Sequence, residues 1–328
     1  MTLILIAVIL LGLGFDFMNG VHDSSNVVAT MISSRAFSPR VALGVTAVAN
    51  FLGPFIFGVA VANTIGNDVV ASGSINMVVI LAALASAILW DLFTLYLGFP
   101  SSSSHALIGG IIGAVVMDAG WGVIKWNGLG KILIALFTSP IIGFVFGWIL
   151  LKIILFLCRN ATPRINSFFK RSQIVTGIAL ALSHGTNDSQ KTMGIITLAL
   201  VTGGILPVFK VPWQIILLCA SMIALGTSIG GWRLIRTLGG KMYKIRPVDG
   251  FTAQLTSAAV ILTASLLGGP VSTTQVVSSA IMGVGAGERA NKVRWGVAGD
   301  LATAWLLTIP ASALVGAGLY WVLSHLIH

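Results

Sequence analysis

The chain has 328 residues, of which 56% are hydrophobic and only 9% charged, and its mean hydropathy is +0.98. A soluble globular domain carries about 25% charged residues, so this composition excludes one and points to a polytopic protein embedded in the lipid bilayer. The net charge of +10 does not mark a nucleic-acid binder, because the basic residues gather in loops between apolar segments, where they set membrane orientation.

In chain order, the apolar segments run over 2–33, 41–63, 75–99, 103–118, 131–157, 173–202, 213–232, 250–268, 274–287 and 296–325. At about 20 residues per spanning helix and fewer per hairpin arm, they predict an all-α membrane protein of about 10–12 membrane segments. The first segment has no basic leader and no small-residue cleavage site, so Met1–Leu13 reads as the first half of a retained helix. Within that segment lies GVHDSSN (Gly20–Asn26), and within the sixth lies GTNDSQK (Gly185–Lys191). Gly20, Asp23 and Ser24 recur as Gly185, Asp188 and Ser189. A carboxylate at membrane depth is costly, and two in matching positions point to an ion site rather than scaffold. Each of these two helices is expected to unwind or bend at its acidic motif.

A second repeat supports the first. GFPSSSSHALIGGIIG (Gly98–Gly113) aligns with GGPVSTTQVVSSAIMG (Gly268–Gly283). The duplication divides the chain into a repeat over 1–157, a short basic linker over 158–172 and a second repeat over 173–328. Loops 34–40, 158–172, 233–246 and 288–294 hold 14 of the 19 lysines and arginines. If these loops are cytoplasmic, both termini lie outside, and 75–118 and 250–287 must each enter and return to the side they left, as a hairpin or a pair of spans. The two halves then have inverted topology, as in secondary transporters whose equivalent sites meet near the midplane.

The chemistry of the repeated motifs fits such a site. Pro100 and Pro270 are placed to begin helices, with hydroxyls following at the N-termini. There, free N–H groups and the positive dipole end attract anions, and two such tips face to face suit a tetrahedral oxyanion. N-capping and helix packing are the plainer reading of these hydroxyls. Asp23 and Asp188, with Asn26, Asn187 and free carbonyls at a helix break, offer hard oxygen ligands to Na+ or a group that takes a proton. Cations bound beside an anion offset its desolvation and couple the two affinities. For Lys191, two readings stand: contact with the anion, or neutralisation of Asp188. Asp91 reads either as a third ion ligand or as half of a buried pair, and Asp16 and Asp300 as caps or structural partners. His22, His105 and His184 adjoin the motifs, as packing histidines or as proton carriers. Cys158 and Cys219 read as free thiols, without a disulfide framework or a transition-metal site.

FDFMNGVHDSSNVVATMISSRAFSPR (Phe15–Arg40), FPSSSSHALIGG (Phe99–Gly110), ALSHGTNDSQKTMGI (Ala181–Ile195), LGTSIGGWR (Leu225–Arg233) and GGPVSTTQ (Gly268–Gln275) together resemble the inorganic phosphate transporter (PiT) family, over nearly the whole chain. The resemblance implies an inverted-repeat architecture and phosphate uptake by symport with a cation, with no cofactor. It implies cation roles for Asp23, Asn26, Asn187 and Asp188, and phosphate roles for Ser103, Ser104, Thr273, Thr274 and Gln275, with Ser102 and Ser272 beside them. Some relatives carry Glu in the helix after each acidic motif, where this chain has Asn50 and Gln254. Amide oxygens ligate Na+ but do not titrate, which favours Na+ over H+ as the coupling ion. Arsenate, nearly isosteric with phosphate, is expected to be carried as well, and a homodimer is implied by the resemblance alone. Two alternatives stand beside this reading: a sulfate symporter of the same architecture, and an anion channel or non-transporting receptor. An intramembrane enzyme finds no nucleophile–base constellation or HExxH motif in the sequence.

Overall fold

The computed structural model describes residues 2–68 and 75–327. Over these residues the chain forms twelve α-helices and no strand: α1 (Thr2–Ser33), α2 (Pro39–Phe57), α3 (Ala60–Asp68), α4 (Met77–Leu97), α5 (Ser103–Ala119), α6 (Trp126–Leu157), α7 (Ile165–Thr202), α8 (Trp213–Ile229), α9 (Trp232–Arg236), α10 (Pro247–Leu266), α11 (Thr273–Glu288) and α12 (Trp295–Leu326). Five of them, α1, α2, α4, α6 and α12, are long and apolar enough to cross a membrane. The pair formed by α8 and α9, with the π turn that follows, makes a sixth, bent by 60°. The longest helix, α7, falls outside that group because Ser183–Thr192 in its middle is polar and wholly buried. Such a stretch avoids lipid only by sitting at the centre of the molecule.

Breaks in the helices are present, but not at the acidic motifs. Both α1 and α7 run unbroken through Asp23 and Asp188. Neither backbone needs to open, because side chains of the same helix and of α11 supply the carboxylates with donors. The interruptions instead fall at Gly58, which divides the apolar stretch 41–63 into α2 and α3, and at Gly230, between α8 and α9. Their φ angles are +81° and +79°, a region open to glycine at little cost. Gln254 lies on α10, not on the helix that follows the second acidic motif, which is α8.

The two hairpins form as expected. The C-terminal turns of α4 and α10 are followed by Gly98 and Gly268, both at φ +73°. Short links then lead into α5 and α11. Pro100 and Pro270 lie in those links rather than at the first helical position. Ser102 and Ser272 cap the new helices, their hydroxyls accepting from the amides of His105 and Gln275 at 3.2 and 3.3 Å. These two serines thus follow the plainer, capping reading.

Packing crosses between the halves. The first helix of each half lies on the second helix of the other: α1 on α8, and α7 on α2. Likewise α5 packs on α12, and α11 on α6. Glycines allow the first pair of crossings. A Cβ on Gly20 or Gly226 would stand 2.3 or 2.0 Å from a carbonyl oxygen across the α1–α8 contact. One on Gly185 or Gly53 would stand 2.2 or 2.4 Å from a carbonyl oxygen across the α7–α2 contact. The apolar core forms two clusters. One takes Leu5–Phe15 of α1 and Met193–Leu200 of α7; the other takes Val27–Met31 of α1 and Leu180–Ala181 of α7. The polar middles of α1 and α7 lie between them.

Candidate ion and anion site

Four chain segments converge on this polar layer: the middles of α1 and α7 and the N-terminal tips of α5 and α11. Asp23 on α1 and Asp188 on α7 are both fully buried. Thr273, the first residue of α11, sits between them, its hydroxyl 3.0 Å from Asp23 Oδ2 and 2.8 Å from Asp188 Oδ2. A single hydroxyl carries one proton, so it donates to one carboxylate at a time. Thr274 donates to Asp23 Oδ1 at 3.0 Å and accepts from Asn26 Nδ2 at 3.0 Å. The amide oxygen of Asn26 keeps no hydrogen-bond partner among the described residues.

Basic groups close the cluster. The Lys191 ammonium pairs with Asp188 and also donates to the Ser104 hydroxyl at the tip of α5 and to the Val271 carbonyl at 3.0 Å. The pairing reading of this lysine holds, since it neutralises Asp188, and the same ammonium also reaches the tip of α5. His184 Nε2 lies 3.0 Å from Asp188 Oδ2 and 3.9 Å from Asp23 Oδ2, between the carboxylates. His22 Nδ1 is 2.8 Å from Asp23 Oδ1. The hairpin tips touch directly, with Ser104 donating to the Val271 carbonyl at 3.3 Å and Gln275 Nε2 3.3 Å from His105 Nδ1.

A ligand atom from each of Asp23, His184 and Asp188 lies within 4.8 Å of the others, close enough to share one cation. Two carboxylates, a hydroxyl and an amide oxygen make a hard donor set suited to an alkali cation. Around it, the Lys191 ammonium, the tip hydroxyls and the N-terminal amides of α5 and α11 make a set of anion donors.

The model of the phosphate transporter family matches this sequence twice, over residues 19–164 and 159–316. The chain belongs to the phosphate transporter family. Two of its relatives span nearly its whole length. A probable low-affinity inorganic phosphate transporter of Bacillus subtilis is 46% identical, over 99% of this chain and 98% of its own. One of Rhizobium meliloti is 43% identical, over 97% of this chain and 96% of its own. Among solved structures, one described as the sodium-dependent phosphate transporter superposes with a TM-score of 0.90 at 27% identity, covering 99% of this chain and all of that one.

The remaining expected residues of this family member fall around the cluster rather than in it. Asn187 turns its amide nitrogen to Ser265 at 2.8 Å and the Gly269 carbonyl at 3.4 Å, holding the link into α11. Asn50 binds Thr227 at 2.8 Å and stands 3.2 Å from His184 Nδ1, so it reaches the carboxylates through the histidine. Gln254 donates to Thr30 at 2.9 Å and accepts from Thr176 at 2.6 Å, away from both carboxylates. Ser103 is buried at the tip of α5, its side chain facing Asp91 of α4. Asp91 is buried on α4 within electrostatic reach of His22 and Asp23 and adjoins the Ser103 side chain at the tip of α5. None of the ion pairs among the described residues includes it. His105 packs edge-on against Phe137. The residue that sequence reasoning underweighted is His184. The available signal was its place one helical turn before Asp188, on the same face.

Proposed function

We propose that this protein imports inorganic phosphate by symport with a cation, Na+ in preference to H+, through alternating access around the Asp23–Thr273–Asp188 cluster. The observation that carries the reading is the double use of Thr273, whose hydroxyl lies within hydrogen-bond distance of both carboxylates at the tip of α11. In this arrangement the hydroxyls of Thr273 and Thr274 and the ammonium of Lys191 serve Asp23 and Asp188. Cations bound to the carboxylates take over that duty and release the donors to an anion. Phosphate affinity then rises with cation occupancy, and by linkage cation affinity rises with phosphate. Phosphate also keeps a proton to donate near neutral pH, which sulfate does not, so a carboxylate facing the anion favours phosphate. Arsenate is expected to follow the same route.

The crossed packing and the repeated break positions support two halves of inverted topology, with 1–157 and 173–328 as the repeats and 158–172 as a cytoplasmic linker. On this arrangement both termini lie outside. Uptake of radiolabelled phosphate into proteoliposomes tests the reading. Accumulation under an inward Na+ gradient, insensitive to excess sulfate, is expected. Accumulation under a proton gradient alone refutes sodium coupling, competition by sulfate reassigns the substrate, and no accumulation under either gradient leaves a channel or receptor.

A further inference from the structure

The polar layer does not stop at the central cluster. Asp16 lies on α1 seven residues before Asp23, about 10 Å closer to the N-terminal end of the helix. Its side chain is fully buried, and none of the ion pairs among the described residues includes it. Thr192 on α7, one turn beyond Asp188, donates to Asp16 Oδ1. Asp16 Oδ2 has no partner among the described residues. The same holds for the amide oxygen of Asn19, buried one turn along α1 from Asp16. Cys219 of α8 adjoins Asp16 on the remaining side. Two helices thus bring a carboxylate and a hydroxyl together, with a buried, unpartnered amide oxygen one turn along α1. An ionised carboxylate at this depth is expensive unless a cation or a proton neutralises it, and sodium binding tells the two apart.

We propose that Asp16, Asn19 and Thr192 form a separate site for Na+ on the α1–α7 seam, between the central cluster and the N-terminal end of α1. The inference rests on sodium coupling as proposed above and adds a staging position for the ion. The repeat gives it a direction. At the equivalent places on the other side of the centre stand Ala181 for Asp16 and Val27 for Thr192, both fully buried in an apolar cluster. Oxygen ligands therefore continue the ion path toward one end of the seam only. A cation entering by way of α1's N-terminal end meets Asp16 before it meets Asp23.

The test uses the purified full-length protein and two near-isosteric variants, Asp16→Asn and Thr192→Val. Equilibrium binding of radioactive sodium is measured without phosphate, and proteoliposome uptake is measured over a range of Na+ concentrations. Each variant is expected to bind less sodium per chain than the parent and to need roughly tenfold more Na+ for half-maximal uptake, the effect of losing one ligand to a charged group. The KM for phosphate at saturating Na+ is expected to stay unchanged, whereas a merely structural defect would move it too. If both variants match the parent in sodium bound and in Na+ dependence, the site is refuted while sodium coupling stands. If the parent itself neither binds sodium nor responds to its gradient, both readings fall together.

Discussion

At the scale of single residues, the centre is a balance of buried charge. Lys191 has a carboxylate, a hydroxyl and a carbonyl as partners, and Asp188 depends on it. Lys191→Met strands Asp188, and the loss of one member of a buried pair costs about 3–5 kcal/mol. The thermal midpoint of the variant in detergent is expected to fall, and the double variant Asp188→Asn/Lys191→Met to regain part of the loss. Additive losses would show that the two side chains do not act as a pair. Thr273→Val leaves the fold and removes the shared hydroxyl, and is expected to weaken phosphate affinity by roughly tenfold in a binding titration. The duplicated motifs made Asp23 and Asp188 legible in the sequence, and the hydroxyls of Thr273 and Thr274 with them. The place of His184 between the two carboxylates was not legible, since nine of the ten residues of Ser183–Thr192 are polar and only the fold selects among them. The expected unwinding at the acidic motifs failed for a related reason. It required free backbone carbonyls as ligands, whereas side chains of α1, α7 and α11 already surround both carboxylates.

Among elements, the hairpins were legible because their glycines, prolines and hydroxyls recur at a fixed offset, and loop charge required each to return to its starting side. The break within 41–63 was not legible, since hydropathy stays high across Gly58 and only its positive φ marks the turn. Helix crossings depend on backbone contact that composition does not reveal. Gly226 meets the Phe17 carbonyl where a Cβ would stand 2.0 Å away, and no flexible side chain is there to yield. Gly226→Ala must push α8 off α1 and is expected to cost about 1–3 kcal/mol, read as a lower thermal midpoint and reduced uptake. Gly318→Ala on exposed α12, where a Cβ meets nothing within 4 Å, serves as the control and is expected to leave both measurements unchanged.

For the whole molecule, the duplication was visible in the sequence but the exchange of partners was not. Repeated motifs fix which positions are equivalent, while the choice between packing within a half and packing across halves belongs to tertiary structure. Here α1, α2, α5 and α6 each take a main packing partner from the other half. Fragments 1–157 and 158–328 produced separately are expected to yield no monodisperse protein, and produced together to restore phosphate uptake. Folding of the first fragment alone would overturn this view of the architecture.

The position of Asp23 also sets a schedule for synthesis. Its hydroxyl partners lie on α11, about 250 residues further along the chain. At about 5–20 residues per second, the nascent α1 waits on the order of ten seconds or more before Thr273 and Thr274 leave the ribosome. Until then the helix must enter the membrane with His22, its nearest polar contact, as the carboxylate's early companion. The same carboxylate that organises the finished site is a hazard during insertion, and membrane integration of α1 is a step at which quality control can act on this protein.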